Sequence, residues 1–440
     1  MKKTTPPLLK FCFAMLLALG PIVGVAQNII LNKYNFGEGL TFTGTGSSDY
    51  KITLSGMVQP FYEARFYTDS IIVDEPADRF RMRRLRFRLD GDAGRFSWRL
   101  QTEFTGNLEG EEATSNYLTD AWVGYNFAPR WSIKVGQKNV ATDNRQLLIR
   151  SQTLQLVERS RVTSAFSTIR EFGIFVDGTV RLTESWYMRP SFVLSSGEGP
   201  NVRTPNYGGL KYGGRVDFLP FGLFTNQGQF HEVDMMRELE PKLVFGVAYS
   251  FNDGMSSRRG RESGAILYLN ENNEYSLPDF SKLGIDFLFK YRGFSALGEF
   301  VSTTATVPTD ITQRVRNDGS ITGDFEINGV QDVENYVKSR MILGSAYNLQ
   351  LGYLFKNLYS VDVRYTHLNA DQYSFLNNGA FYNRPNYYTL GASKYFSKSY
   401  GIKIQAAITY IEVLPGSFAH NGLPITGNEW LLQLITSFAF

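Results

Sequence analysis

Cysteine is almost missing from this chain: Cys12 is the only one in 440 residues. It lies inside an N-terminal stretch in which Lys2, Lys3 and Lys10 precede or open a mostly apolar run at 11–25 that closes on Gly24-Val25-Ala26. A basic start, an apolar middle and a small-residue end read as a secretory signal, residues 1–26, cleaved after Ala26. Gly20-Pro21 interrupts the run, so it does not supply the roughly 20 apolar residues of a membrane helix. Cys12 sits within the run and not at the cleavage point, which speaks against a lipoprotein. Without residues 1–26 the chain has no thiol, which excludes disulfides, cysteine nucleophiles and cysteine-bound metals. Histidine is scarce too: His231, His367 and His420 lie far apart and read as ordinary surface residues. No HExxH, GxSxG, P-loop or dinucleotide fingerprint is present, so no catalytic residue, metal or cofactor is expected. Net charge is also lacking. The signal takes three lysines with it, leaving 42 Lys and Arg against 42 Asp and Glu. A neutral chain has no strong basic field with which to bind nucleic acid. After residue 26 no apolar run is long enough for a membrane helix.

What the chain does have is aromatic residues, 15% of the total, and 41 glycines, laid out in alternating segments. The hairpin at 80–106 shows the pattern. Leu85, Phe87 and Leu89 alternate with Arg84, Arg86 and Arg88; after Asp-Gly-Asp-Ala-Gly, Phe96, Trp98, Leu100, Thr102 and Phe104 alternate with Arg95, Ser97, Arg99, Gln101 and Glu103. A period of two places one set on each face of a strand. Similar segments recur at 50–67, 117–127, 131–138, 170–177, 186–195, 211–218, 242–251, 282–290, 294–303, 346–355, 359–368, 387–396, 402–410 and 430–440, about sixteen strands in all. Short turns (90–94, 128–130, 291–293, 356–358, 397–399) alternate with long polar stretches (107–116, 139–169, 252–281, 304–345, 369–386, 411–429). The expectation is an all-β, transmembrane antiparallel β-barrel of about sixteen strands, residues 50–440, with long external loops and a periplasmic lead-in at 27–49. Trp98, Trp131, Trp186, Tyr249, Tyr365 and Tyr410 fall on the outward faces, as interfacial girdles require. One connection misfits: 219–241 is long where the parity asks for a short turn. The last strand ends on Phe440, and closure needs it to pair with the first.

An apolar outer face and a charged inner one imply an aqueous lumen. Arg84, Arg86, Arg88, Arg95 and Arg99 share the inner face of one hairpin, with Lys134 and Lys138 a few strands on. Two readings follow. The first is a basic stripe that hands anions along the wall, since guanidinium groups stay charged and fork onto phosphate or carboxylate oxygens. The second is a balanced mesh in which Glu103, Asp90, Glu158 and Glu171 neutralise the arginines. Adjacent Arg83-Arg84 breaks the alternation and predicts a bulge or strand boundary. Arg79, Arg81 and Arg83 would then be free to reach lipid phosphates at the rim.

Several stretches resemble the phosphate-selective porin O/P family, particularly its Bacteroidetes-type members. They are FGEGLTFTG, SGMVQPFYEARF, FRMRRLRFRLDGDAGRFSWRLQTEF, LTDAWVGYNF, VGQKN, LVERS, IREFGIFVDG and EPKLVFGVAYSFNDG, in that order. The resemblance implies a sixteen-stranded, homotrimeric outer-membrane porin of Gram-negative cells, passing small hydrophilic solutes passively and preferring anions such as phosphate. Its outer face would contact membrane lipid. It also implies an inward third external loop, and residues 139–169 occupy that position. Arg145, Arg150, Glu158, Arg159, Arg161 and Arg170 would supply its constriction charges. The chain departs from the family after Gln137, where Lys138-Asn139-Val140 replaces the usual Phe-Lys and proline. The competing classes are a barrel hydrolase, which would need a nucleophile, a base and an orienting group together, and an adhesin or surface scaffold that uses the long loops.

Overall fold

The computed structural model describes residues 29–31, 34, 36–44, 50–68, 77–105, 118–202, 205–419, 422–425 and 427–440. The expected signal peptide lies outside these residues. Sixteen strands form the wall: β1 (Tyr50–Tyr67), β2 (Ala77–Ala93), β3 (Phe96–Glu103), β4 (Leu118–Ala128), β5 (Trp131–Asn139), β6 (Arg170–Gly178), β7 (Tyr187–Ser195), β8 (Lys211–Leu219), β9 (Lys242–Asn252), β10 (Asp279–Tyr291), β11 (Phe294–Thr306), β12 (Gly344–Leu354), β13 (Tyr359–Ala370), β14 (Asn386–Tyr395), β15 (Ile402–Ile411) and β16 (Glu429–Ala439). Each pairs antiparallel with the next. β16 returns to β1, with Glu429 opposite Tyr67 and Ala439 opposite Met57, so the sheet closes. Beyond the ladder, Gly56 and Phe440 exchange two backbone hydrogen bonds of 3.0 and 3.1 Å. Below that point the free edge of β1 is covered by residues Leu40–Gly44, which pair with Tyr50–Leu54. No backbone edge is left to face lipid along this seam.

The wall is inside-out relative to a soluble sheet. In β9, outward Phe245, Val247 and Tyr249 are exposed, whereas inward Val244, Ala248, Ser250 and Asn252 are buried. Outward rings form a row across successive strands at the long-loop end: Tyr365 stacks on Tyr388 at 5.0 Å, Tyr388 lies 6.2 Å from Tyr410, and Tyr410 lies 4.9 Å from Trp430. Such a row fits a membrane interface. His367 belongs to the same face, 5.1 Å from the Tyr347 ring.

Inward polar residues of one half of the wall are buried as well, Lys282, Asp286 and Lys290 of β10 among them. Segment 140–169, carrying the short helices α1 (Arg145–Leu148) and α2 (Arg161–Phe166), covers them. It folds into the barrel and is held by apolar contacts. Ile149 and Leu154 pack on Leu219, Val244, Leu288 and Leu297. Leu156 and Val157 pack on Phe61, Ala407 and Ile435, and Val162, Ala165 and Phe166 on Val301, Ala346, Leu368 and Ile411. Each such side chain contributes about 1.5–3 kcal/mol, so the loop is a fixed inner layer.

The connection at 219–241 does not disturb the count of sixteen. It is long because it also folds inward, from the short-turn end, and meets the first inward segment from below. Lys290 Nζ donates to the carbonyls of Gly228 and Val233 at 2.8 and 2.9 Å. Fully buried Glu232 accepts from Gln146 Nε2 (2.8 Å), the Gln155 backbone N–H (2.7 Å) and Gln350 Nε2 (3.1 Å). Glu232 thus ties the two inward segments to each other and to β12. Glu232→Ala would leave the buried Gln155 N–H without its acceptor, at about 1–3 kcal/mol, and take one of two acceptors each from Gln146 Nε2 and Gln350 Nε2. The expected result is a folded barrel that loses its resistance to heat in detergent at a clearly lower temperature; an unchanged melting temperature would refute this role.

Candidate permeation pathway

With the inward loop laid against β8–β16 and β1, the open space runs between that loop and the wall β2–β7 and is bordered as well by β1 and by the long-loop ends of β13–β16. It is a continuous cavity of about 2610 Å³. Its arginines are set by a backbone irregularity. Arg84 faces Gln59 and Met82 faces Pro60, so Arg83 is an extra residue in β2. Pro60 cannot donate to the ladder, and a bulge there costs no wall hydrogen bond. The bulge shifts the alternation by one. Arg79, Arg81 and Arg83 therefore join Arg84, Arg86 and Arg88 on the inner face, all six lining the cavity. The bulge expected from Arg83-Arg84 is present; the rim position expected for Arg79, Arg81 and Arg83 is not.

Five acids serve eight arginines here. Glu63 contacts Arg79 and Arg81; Glu158 contacts Arg83 and Arg84; Glu103 contacts Arg86; Asp90 contacts Arg88 and Arg99; Asp120 contacts Arg170 and, at 3.9 Å, Arg99. The mesh exists. Glu158 and Ser151, which accepts from Arg86 Nη1 at 3.0 Å, pin the inward loop to the ladder. Burial alone would raise the Glu158 carboxyl, but Arg83 and Arg84 outweigh it and hold the group below the usual carboxylate range. It stays ionised at neutral pH. Farther round the wall, Lys134 Nζ lies 2.8 Å and Lys138 Nζ 3.9 Å from Asp177, with Lys134 also over the Trp122 ring and Lys138 over Phe175. The acid Glu171 does not serve the ladder at all; it pairs with Lys211 on β8.

The residues expected at the constriction divide into three kinds. Arg150 reaches the lumen water near Arg88 and Arg99 and has no acidic partner among the described residues. Its recessed position and those two cations lower its guanidinium to about 10, so it remains charged. Arg159 braces the loop, donating to the carbonyls of Gln146 and Ile149, both at 2.8 Å. Arg161 opens α2 and lies 4.7 Å over the Tyr382 ring at the long-loop mouth. Two expectations need correction. Arg145 is fully buried between Asp217 and Asp286, 2.7 and 2.8 Å away, and anchors the loop without facing the cavity. Arg170 belongs to the wall, as the first residue of β6. A third concerns Arg95, which is exposed in the Gly94-Arg95 turn and does not border the cavity; inner-face parity ends where the strand does.

Sequence reasoning passed over other residues of the passage. Arg189 of β7 lines it with its guanidinium 4.9 Å over Phe230 and no acidic partner among the described residues. Its parity with Ser191 and Val193 was a usable signal. His231 is not at the outer surface: it lies in the second inward segment, bordering the cavity, 5.5 Å from the Tyr400 ring. Burial, with Lys290 and Arg150 nearby, pushes its imidazole down to about 3, and it is neutral at pH 7. Among the described residues around the cavity, 22 Arg and Lys stand against eight Asp and Glu. Adding the described acids just behind the surface that pair with lining arginines (Asp90, Asp286 and Glu429) leaves 22 against 11. The described lining is strongly cationic.

A closed sixteen-stranded barrel with an apolar exterior and a water-filled, loop-narrowed interior is the architecture of an outer-membrane porin. Residues 56–215 match the family model for phosphate-selective porin O and P, the family that the sequence resembles. No curated protein matches the chain. Among solved structures, it is similar in fold to an anion-selective porin from Comamonas acidovorans (12% identity, TM-score 0.49, covering 89% of this chain and 100% of that one). It is likewise similar to a loop L8 deletion mutant of OmpT from Vibrio cholerae (8%, 0.49, 89% and 99%) and to the outer membrane channel DcaP of Acinetobacter baumannii (11%, 0.48, 89% and 97%). The barrel assignment rests on the strand pairing of the chain itself.

Proposed function

We propose that this porin is an anion-preferring diffusion channel whose selective path runs along the arginines of β2 and past Arg150 and Arg189, and that phosphate is among its solutes. The observation that carries the reading is the twofold excess of cations over acids among the described residues around the lumen, counting the acids behind it. Paired arginines keep their forks oriented toward the passage, where a guanidinium favours oxyanions. An anion is thus held by several weak sites in succession and not by one tight one, as conduction requires. The family description, phosphate-selective, agrees with this chemistry. No energy source or covalent step is involved. Removal of residues 1–26 on export and assembly into a homotrimer belong to the same proposal.

Single-channel recording of the purified protein under a salt gradient tests it. The reversal potential is expected on the anion side, and phosphate is expected to reduce chloride current at micromolar to millimolar concentration. A channel with no ion preference would reduce the arginines to a structural mesh. Absence of conductance would favour the adhesin or scaffold reading.

A further inference from the structure

We propose that the long-loop mouth of this passage holds a stacking subsite for anions that carry a flat ring, of the nucleoside monophosphate class, with Phe381 as its platform. The inference rests on the anion-channel reading above and adds a ligand class to it. Segment 371–385, between β13 and β14, brings Phe375, Phe381 and Tyr382 to the border of the cavity. Phe381 is 56% exposed although it points to the passage and not to the lipid-facing girdle. Its ring stacks on Phe375 with centroids 6.0 Å apart and planes 29° from parallel, which leaves its other face to water. Other rings on the passage are used differently: Trp122 is covered by Arg99 and Lys134, and Phe230 by Arg189.

Guanidinium groups surround this open ring. Arg258 lies 4.1 Å over Phe375 and Arg161 lies 4.7 Å over Tyr382. Arg259 donates to Tyr382 Oη at 2.7 Å, and Arg161 Nη2 donates to the Phe381 carbonyl at 2.6 Å. Three arginines are thereby fixed on Phe375, Tyr382 and the Phe381 backbone, the immediate neighbours of the exposed ring. Inorganic phosphate needs the cations alone and has no use for the ring. An exposed phenyl face bordered by fixed cations matches a ligand with a planar, polarisable end and an anionic end. Stacking of a base on an aromatic side chain is sequence-tolerant and strengthens binding roughly tenfold or more.

The test compares AMP with ribose 5-phosphate, which has the same phosphate and sugar but no base, as blockers of chloride current through the full-length channel, each added to either side in turn. AMP is expected to reach half-block at roughly tenfold lower concentration from the long-loop side. Phe381→Ala should bring the ratio close to one while open conductance and the ribose 5-phosphate block stay as they were. Phe381→Leu, which keeps apolar bulk, should lose the preference as well, and Phe381→Tyr should retain it. Equal block by the two ligands in the native channel, or an AMP preference that survives both Phe381→Ala and Phe381→Leu, would overturn the subsite and leave the anion channel standing. If neither ligand nor orthophosphate blocks and the reversal potential is not anionic, the channel reading falls and the subsite with it.

Discussion

Reversing Arg150 and Arg189 together, as Arg150→Glu with Arg189→Glu, is expected to remove most of the anion preference and push the channel toward cations. Both side chains border the passage, and neither makes an ion pair within 4 Å among the described residues, although Asp90 acts on Arg150, and Asp177 and Asp217 on Arg189, through space. Their replacement breaks no direct ion pair, and a melting curve in detergent checks that the barrel tolerates the added carboxylates. A unit charge at about 4 Å in a water-like medium is worth about 1 kcal/mol, a factor of about five in occupancy. Two reversals should change the anion-to-cation permeability ratio by at least tenfold at low salt. The change should shrink as ionic strength rises and the Debye length falls below the width of the passage. Arg95→Glu is the control, because Arg95 is exposed in the short turn; it should leave the ratio unchanged. A double variant that keeps its anion preference would move the selective path elsewhere.

The second large effect is mechanical. Arg145 has no exposed surface, and its fork binds Asp217 through two nitrogens at 2.7 and 3.1 Å and Asp286 through Nε at 2.9 Å. Arg215 shares both carboxylates. Arg145→Ala would leave two acids with one cation inside the barrel, and breaking a buried pair of this kind costs about 3–5 kcal/mol. The inward loop would lose this anchor on β8 and β10 while keeping the Asp143–Lys282 pair, the bonds to Glu299 and its apolar contacts. The expected outcome is a barrel that still inserts, shows larger and noisier single-channel conductance, and unfolds at a lower temperature in detergent. Lysine cannot replace the two-sided fork, so Arg145→Lys should behave more like alanine than like the native channel. Unaltered conductance and melting in Arg145→Ala would show that the loop's other polar and apolar contacts suffice to hold it.

These two experiments separate arginines that look alike in the sequence. Arg145 and Arg150 lie five residues apart in one polar stretch, yet one is locked against the wall and the other faces water. Nothing local distinguishes them. The partners of Arg145 are 72 and 141 residues away, and they meet it only because the loop enters the barrel opposite β8 and β10. The same is true of Glu232, whose connection looked like an error in the strand parity. Its carboxylate is explained by Gln146, Gln155 and Gln350, which come from two other parts of the chain.

The sequence by itself determined the strands, their two faces, their number and the alternation of short turns with long loops. Side-chain direction in a strand repeats every two residues and needs only neighbours to be read. Even the bulge at Arg83 was visible, since two adjacent arginines cannot both obey that period. Which charges meet was decided only by the tertiary structure. The bulge turned Arg79, Arg81 and Arg83 inward, and the turn put Arg95 outside. The folded loops then distributed a nearly balanced set of charges unevenly, with many acids buried against the inner wall and cations left around the water. Electrostatic pairing acts through space between residues that closure of the barrel brings together, and composition records only its sum.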